Sequence, residues 1–118
     1  MAKVLIVDDA AFARKRCARF LEDSGYEVVE AENGADAVRL YGEVKPDAVL
    51  MDITMPEMDG LTALNEIRRG DPDARVAILA AQGQQAIATH ALNSGARGLV
   101  SKPFQPAQML TALKEMMR

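Results

Sequence analysis

Four charged side chains stand where apolar runs stop. Asp8 and Asp9 follow Lys3-Val4-Leu5-Ile6-Val7, Asp52 follows Asp47-Ala48-Val49-Leu50-Met51, and Lys102 closes the run before Pro103. The first two runs do not alternate apolar with polar residues, which is the pattern of parallel strands covered by helices on both faces, so charge belongs only where such a strand emerges. Three carboxylates at two neighbouring strand ends would bind a hard cation through oxygen, while an ammonium beside them holds an anionic group that the cation also touches. Mg2+ suits this corner better than Ca2+, because magnesium takes few protein oxygens, retains waters and leaves room for a phosphoryl oxygen. A carboxylate poised beside a divalent cation can attack phosphorus, since aspartate is a competent covalent nucleophile and the metal neutralises the oxygens of the transferring group.

Each residue alone has a plainer reading. Asp8 or Asp9 could cap the first helix, where its charge suits the positive helix end, but only one of them can occupy that cap. Asp52 could make a strand-end turn, and Lys102 could be a solvated surface charge. The set of four favours the site, and the step from Lys102 to Pro103 is a rigid device for aiming an ammonium inward.

Five apolar runs, near 3–7, 27–31, 47–51, 75–79 and 98–101, alternate with five segments of helical periodicity, near 10–24, 34–44, 59–69, 84–94 and 105–117. Gly25, Gly70 with Pro72, and Gly95 read as helix stops, and Asn33 and Asp59 as N-caps. A (βα)5 chain with right-handed crossovers favours a doubly wound α/β fold, a five-stranded parallel sheet in the order 2-1-3-4-5. Strands one and three are then neighbours, and the switch point between them lies at Asp8, Asp9 and Asp52.

With 118 residues the chain suits one domain, 1–118, without an output module. A net charge of −3 and 14 scattered basic residues argue against nucleic-acid binding. No apolar run approaches a membrane span or a signal-peptide core, so a cytoplasmic location is expected. Cys17 shares a helical stripe with Ala13, Phe20 and Leu21 and reads as core filler.

Together these residues resemble the receiver domain of two-component response regulators, within it the stand-alone chemotaxis regulators, over essentially the whole chain. The carriers are Val7-Asp8-Asp9 with Ala10-Ala11-Phe12, Met51-Asp52 with Met55-Pro56 through Asp59-Gly60, Gly83-Gln84-Gln85-Ala86, and Lys102-Pro103-Phe104. The resemblance implies a flavodoxin-like fold and a phosphoryl group accepted by Asp52 from a phosphohistidine on a sensor histidine kinase. It implies Mg2+ held by Asp9, Asp52 and the Thr54 backbone carbonyl, with Asp8 acting through water, and Lys102 on the phosphoryl oxygens with a cis bond to Pro103. Gln82 and Thr54 would flank the water that hydrolyses the acyl phosphate. The surface of helix four, strand five and helix five, with His90, Asn93, Leu99 and Ser101, would receive a downstream protein, and the protein would be a monomer. His90 itself reads as an exposed helix residue, with Ile87, Ala91 and Leu92 turned inward. The seven methionines read mostly as packing, with Met116 and Met117 able to enlarge an adhesive face.

Two positions depart from the family. A Ser or Thr normally ends the fourth strand and an aromatic stands three residues before the lysine; here they are Ala80 and Leu99. In the family the hydroxyl bonds the phosphoryl group and the ring turns into the space it leaves. Ala80 cannot do this, and a hydrogen bond to a charged group is worth about 1.5–3 kcal/mol. Three readings follow: weaker coupling through the backbone at Ala80 and Ala81, a phosphate sink that drains a kinase, or phosphorylation-independent docking. The complete chemical corner favours the first two. Phosphohydrolases with an aspartate nucleophile carry a second Asp two positions on; Thr54 stands there, and turnover of an exogenous substrate is not expected.

Overall fold

The computed structural model describes residues 2–53, 59–102 and 105–118. Five strands and five helices alternate: β1 Lys3–Val7, α1 Ala11–Asp23, β2 Glu27–Ala31, α2 Gly34–Val44, β3 Ala48–Asp52, α3 Gly60–Gly70, β4 Val76–Ala80, α4 Gln85–Asn93, β5 Gly98–Ser101 and α5 Pro106–Met116. The strands form one sheet in the order β2-β1-β3-β4-β5, with every pairing parallel. The doubly wound arrangement expected from the sequence is the one observed.

Strand alternation sorts the core into two layers. Leu5, Val7, Val49, Met51, Val76 and Ile78 pack with Ala37 of α2, Leu64 and Ile67 of α3, and Ala88 and Ala91 of α4. Val4, Ile6, Ala48, Leu50 and Ala77 pack on the other face with Ala18 and Leu21 of α1 and Met109, Leu113 and Met116 of α5. Nearly every residue of the three central strands is therefore buried, which is why their sequences read as unbroken apolar runs.

β3 and β4 begin one residue later than their apolar runs and extend through Asp52 and Ala80. Asp52 is thus a strand residue in register with Leu79, not part of a loop. Asn33 and Asp59 cap α2 and α3, accepting from the backbone N–H of Asp36 and Thr62 at 2.8 Å each. Neither Asp8 nor Asp9 caps α1: its N-cap is Ala10, without a side-chain bond. Gly25 and Gly95 follow α1 and α4 with φ of 97° and 111°, whereas Gly70 is the last residue of α3 and Asp71 ends it. The inward stripe of α4 is Ala88 and Ala91; Ile87 and Leu92 face solvent, because small side chains let this helix lie close on the sheet. Met116 is buried and so enlarges no surface face, whereas Met117 is only partly buried against the same cluster. Among the described residues no helix is long and apolar enough to cross a membrane.

Gly60 has a steric duty at the site. Its N–H donates to the Ile53 carbonyl at 3.1 Å, and a Cβ there would collide with the Asp52 carbonyl oxygen and the Ile53 Cα. Gly42 on α2 has open space around its missing Cβ. Gly60→Ala is expected to destabilise by about 1–3 kcal/mol through overpacking. Gly42→Ala is expected to stabilise by roughly 0.5–1 kcal/mol through helix propensity. Urea midpoints of the two variants against the parent check both signs.

Candidate functional site

The carboxylates of Asp8, Asp9 and Asp52 converge at the carboxyl edge of β1 and β3, each offering an oxygen within 4.8 Å of the others. Topology makes this meeting possible: β1 and β3 are hydrogen-bonded neighbours although some 40 residues separate Asp9 and Asp52 in sequence. Asp8 and Asp52 are buried and Asp9 is exposed. Lys102, just past β5, brings its Nζ to 3.3 Å from Asp52 Oδ2, and its own N–H is fixed by a 2.7 Å bond to the Ala80 carbonyl. All four charged residues singled out in the sequence therefore meet in one corner.

Three carboxylates and one ammonium leave an excess of negative charge among these four side chains. Asp8 Oδ1 accepts from the Ala10 N–H at 2.9 Å, an Asx-type turn that commits one of its two oxygens. The donors are all hard oxygens around a small gap, so the residues present fit a divalent cation of the magnesium type. Asp9 and Asp52 would hold it, with Asp8 alongside. Thr54 and the Lys102–Pro103 peptide bond lie at or beyond the limits of the described residues.

A cavity of about 600 Å³ opens from this corner, lined by Asp8, Ala13, Arg16, Cys17, Leu79, Ala81, Gln82 and Lys102. Gln82 is exposed in the turn between β4 and α4, where the Ala81 N–H donates to Gln84 Oε1 at 2.7 Å and the Gln84 N–H to the Ala81 carbonyl at 3.2 Å. Burial, and after it the Asp8 carboxylate, pushes the Cys17 thiol above its ordinary pKa, so it is a poor nucleophile and serves as packing beside Phe20.

Ala80 is 5% exposed at the end of β4, and Leu99 of β5 is 40% exposed. Both line a second cavity of about 180 Å³, with Ala88 and Thr89 of α4 and Ser101 of β5. His90 and Asn93 are exposed on α4, and Ser101 is exposed on β5.

Sequence reasoning missed Arg14. It registered only as part of a basic run, yet it is 8% exposed and donates through Nη1 to the Asp8 carbonyl at 2.8 Å and through Nε to Glu30 Oε1 at 2.9 Å. The signal available in the sequence was its helical phase, one turn before Ala18 and two before Leu21, which face the sheet.

The sequence matches the response regulator receiver domain over residues 4–114. It is 52% identical over 116 residues to the chemotaxis protein CheY of Listeria monocytogenes, covering 98% of each chain. It is 51% identical over 114 residues to chemotaxis protein CheY of Bacillus subtilis, covering 96% of this chain and 95% of that one. Among solved structures, a receiver domain protein from Clostridium thermocellum superposes with a TM-score of 0.95 at 28% identity, covering 99% of this chain and 94% of that one. The chemotaxis protein CheY4 of Vibrio cholerae gives a TM-score of 0.92 at 30% identity, covering 98% of both. With its acid corner, its lysine and its 2-1-3-4-5 sheet, this chain belongs to the response regulator receiver domain family and is a CheY-like receiver of two-component signalling.

Proposed function

We propose that Asp52 is the phosphoacceptor, taking a phosphoryl group from a phosphohistidine of a sensor histidine kinase in a chemotaxis-type pathway. The observation that carries this reading is the buried Asp52 carboxylate 3.3 Å from Lys102 Nζ, with Asp8 and Asp9 beside it. An Asp52 oxygen forms the new O–P bond while the P–N bond of the donor breaks, and its electron pair returns to the imidazole nitrogen. Lys102 stays within reach of the oxygens that the phosphoryl group brings to Asp52. When bound, Mg2+ supplies charge neutralisation at those oxygens. Asp9, Asp52 and the Thr54 carbonyl would hold it, with Asp8 acting through water. The Gln82 amide would orient the water that hydrolyses the acyl phosphate, with Thr54 the second residue assigned to phosphoryl lifetime. The protein gains and loses its own phosphoryl group and turns over no exogenous substrate.

As a cytoplasmic, monomeric receiver, it acts by docking. The downstream partner meets α4, β5 and α5, where Ile87, Leu92 and Leu99 are exposed. Over residues 81–118 the bases Arg97, Lys102, Lys114 and Arg118 face only one acid, Glu115, which suits an acidic, amphipathic partner segment.

Ala80 favours a second reading, a phosphate sink, because its methyl group cannot relay phosphorylation to the cavity it lines. Intact mass after incubation with Mg2+ and a small phosphodonor tests the chemistry. One added phosphoryl group is expected, lost in Asp52→Asn and with a chelator, and its decay slows in Gln82→Ala. An adduct in Asp52→Asn contradicts the assignment, as does none in the parent with Mg2+ bound, and an unchanged decay discards the role of Gln82. Ala80→Thr separates the two readings. If the receiver signals with weak coupling, the added hydroxyl increases the gain in partner affinity on phosphorylation by roughly 10- to 100-fold. No change in that gain favours the sink.

A further inference from the structure

We propose that Arg14 is a positioning residue for the acid corner, setting the affinity of the divalent site without touching the metal. This inference rests on the reading of Asp8, Asp9 and Asp52 as a cation site. Arg14 is the only basic residue among the buried polar side chains described, beside Asp8 and Asp52. An arginine on a helix surface ordinarily snorkels its guanidinium to water; burying it requires partners. Both partners here are specific. Nη1 donates to the Asp8 carbonyl at 2.8 Å, and Nε to Glu30 Oε1 on β2 at 2.9 Å.

The Asp8 carbonyl is the hinge of the corner. The Asp8 N–H is already held by the Ala31 carbonyl of β2 at 3.2 Å. Because the peptide unit from Asp8 to Asp9 is planar, fixing the direction of the Asp8 carbonyl fixes the Asp9 nitrogen and Cα with it. Asp8 Oδ1 is meanwhile turned onto the Ala10 N–H. Two mutually repelling acids thus leave β1 in a set direction, and Arg14 is the side chain that holds their shared peptide. Glu30 balances its charge and keeps the guanidinium aimed, so the contribution to the site is orientation more than attraction.

Orientation and charge predict opposite signs. A cation removed from beside a metal site should strengthen metal binding by Coulomb's law alone; loss of orientation should weaken it. Calorimetric titration of Mg2+ into Arg14→Met is expected to show affinity lower by roughly 10- to 100-fold, the range for outer-shell partners of metal ligands. Arg14→Lys keeps the charge but lacks the two-pronged reach, and is expected to weaken binding to an intermediate degree. Arg14→Lys also serves if Arg14→Met does not fold, because its charge is unchanged and only the orientation is lost. Thermal unfolding without metal runs beside each titration. A merely structural arginine would lower that midpoint and leave Mg2+ affinity unchanged. Unchanged or tighter Mg2+ binding in folded Arg14→Met or Arg14→Lys overturns the inference; absence of Mg2+ binding in the parent overturns instead the reading on which it rests.

Discussion

Mutual repulsion among Asp8, Asp9 and Asp52 is the constraint around which the carboxyl edge of the sheet is built. Two of the three are buried, their oxygens lie within 4.8 Å, and Lys102 supplies one positive charge on Asp52. Two unit charges about 4 Å apart interact by about 1 kcal/mol in bulk water and by about 4 kcal/mol at the effective dielectric near a protein surface. A fold stabilised by only about 5–15 kcal/mol can carry this only if its supports are rigid. The supports are the Asp52–Leu79 register, the bond from Lys102 N–H to the Ala80 carbonyl, Gly60 against the Asp52 carbonyl, and Arg14 on the Asp8 carbonyl.

The layering follows from the same requirement. Residues of alternate parity bury against α1 and α5 on one side and α2, α3 and α4 on the other, so the central strands have no wet face. Polar chemistry is confined to the strand ends, where the switch between crossovers opens a cleft. The acid corner therefore lies beside the turn after β4, with Ala81 and Gln82, and beside Lys102 just past β5. Ala80 carries only a methyl, Leu99 is half-exposed, and the Lys102 N–H bonds the Ala80 carbonyl beside them.

Strand order, helix count and the four charged corner residues were legible in the sequence because they follow from unbroken apolar runs and from where those runs end. Asn33 and Asp59 were legible as caps because cap chemistry is local. Arg14 was not: its partners are a backbone carbonyl and a residue on β2, which local pattern cannot supply. The phase of α4 was misread for a related reason. Ile87 and Leu92 are the more apolar residues, yet the close approach of the helix to the sheet selects Ala88 and Ala91 for the inside, and a hydropathy pattern does not encode that distance. The plainer reading of Asp8 or Asp9 as a helix cap does not hold, because Asp8 turns back on the Ala10 N–H and α1 begins uncapped by a side chain.

The most direct test is thermal unfolding of the parent and Asp9→Asn, each with and without Mg2+. If the corner stores repulsion that a divalent cation relieves, Asp9→Asn unfolds about 3–5 °C higher than the parent without metal, since about 1 kcal/mol of repulsion has been removed. Mg2+ then raises the parent midpoint, by the equivalent of about 2.7 kcal/mol at one hundred times its dissociation constant, and raises the variant far less. A variant that is less stable than the parent without metal, or a parent indifferent to Mg2+, would contradict the account.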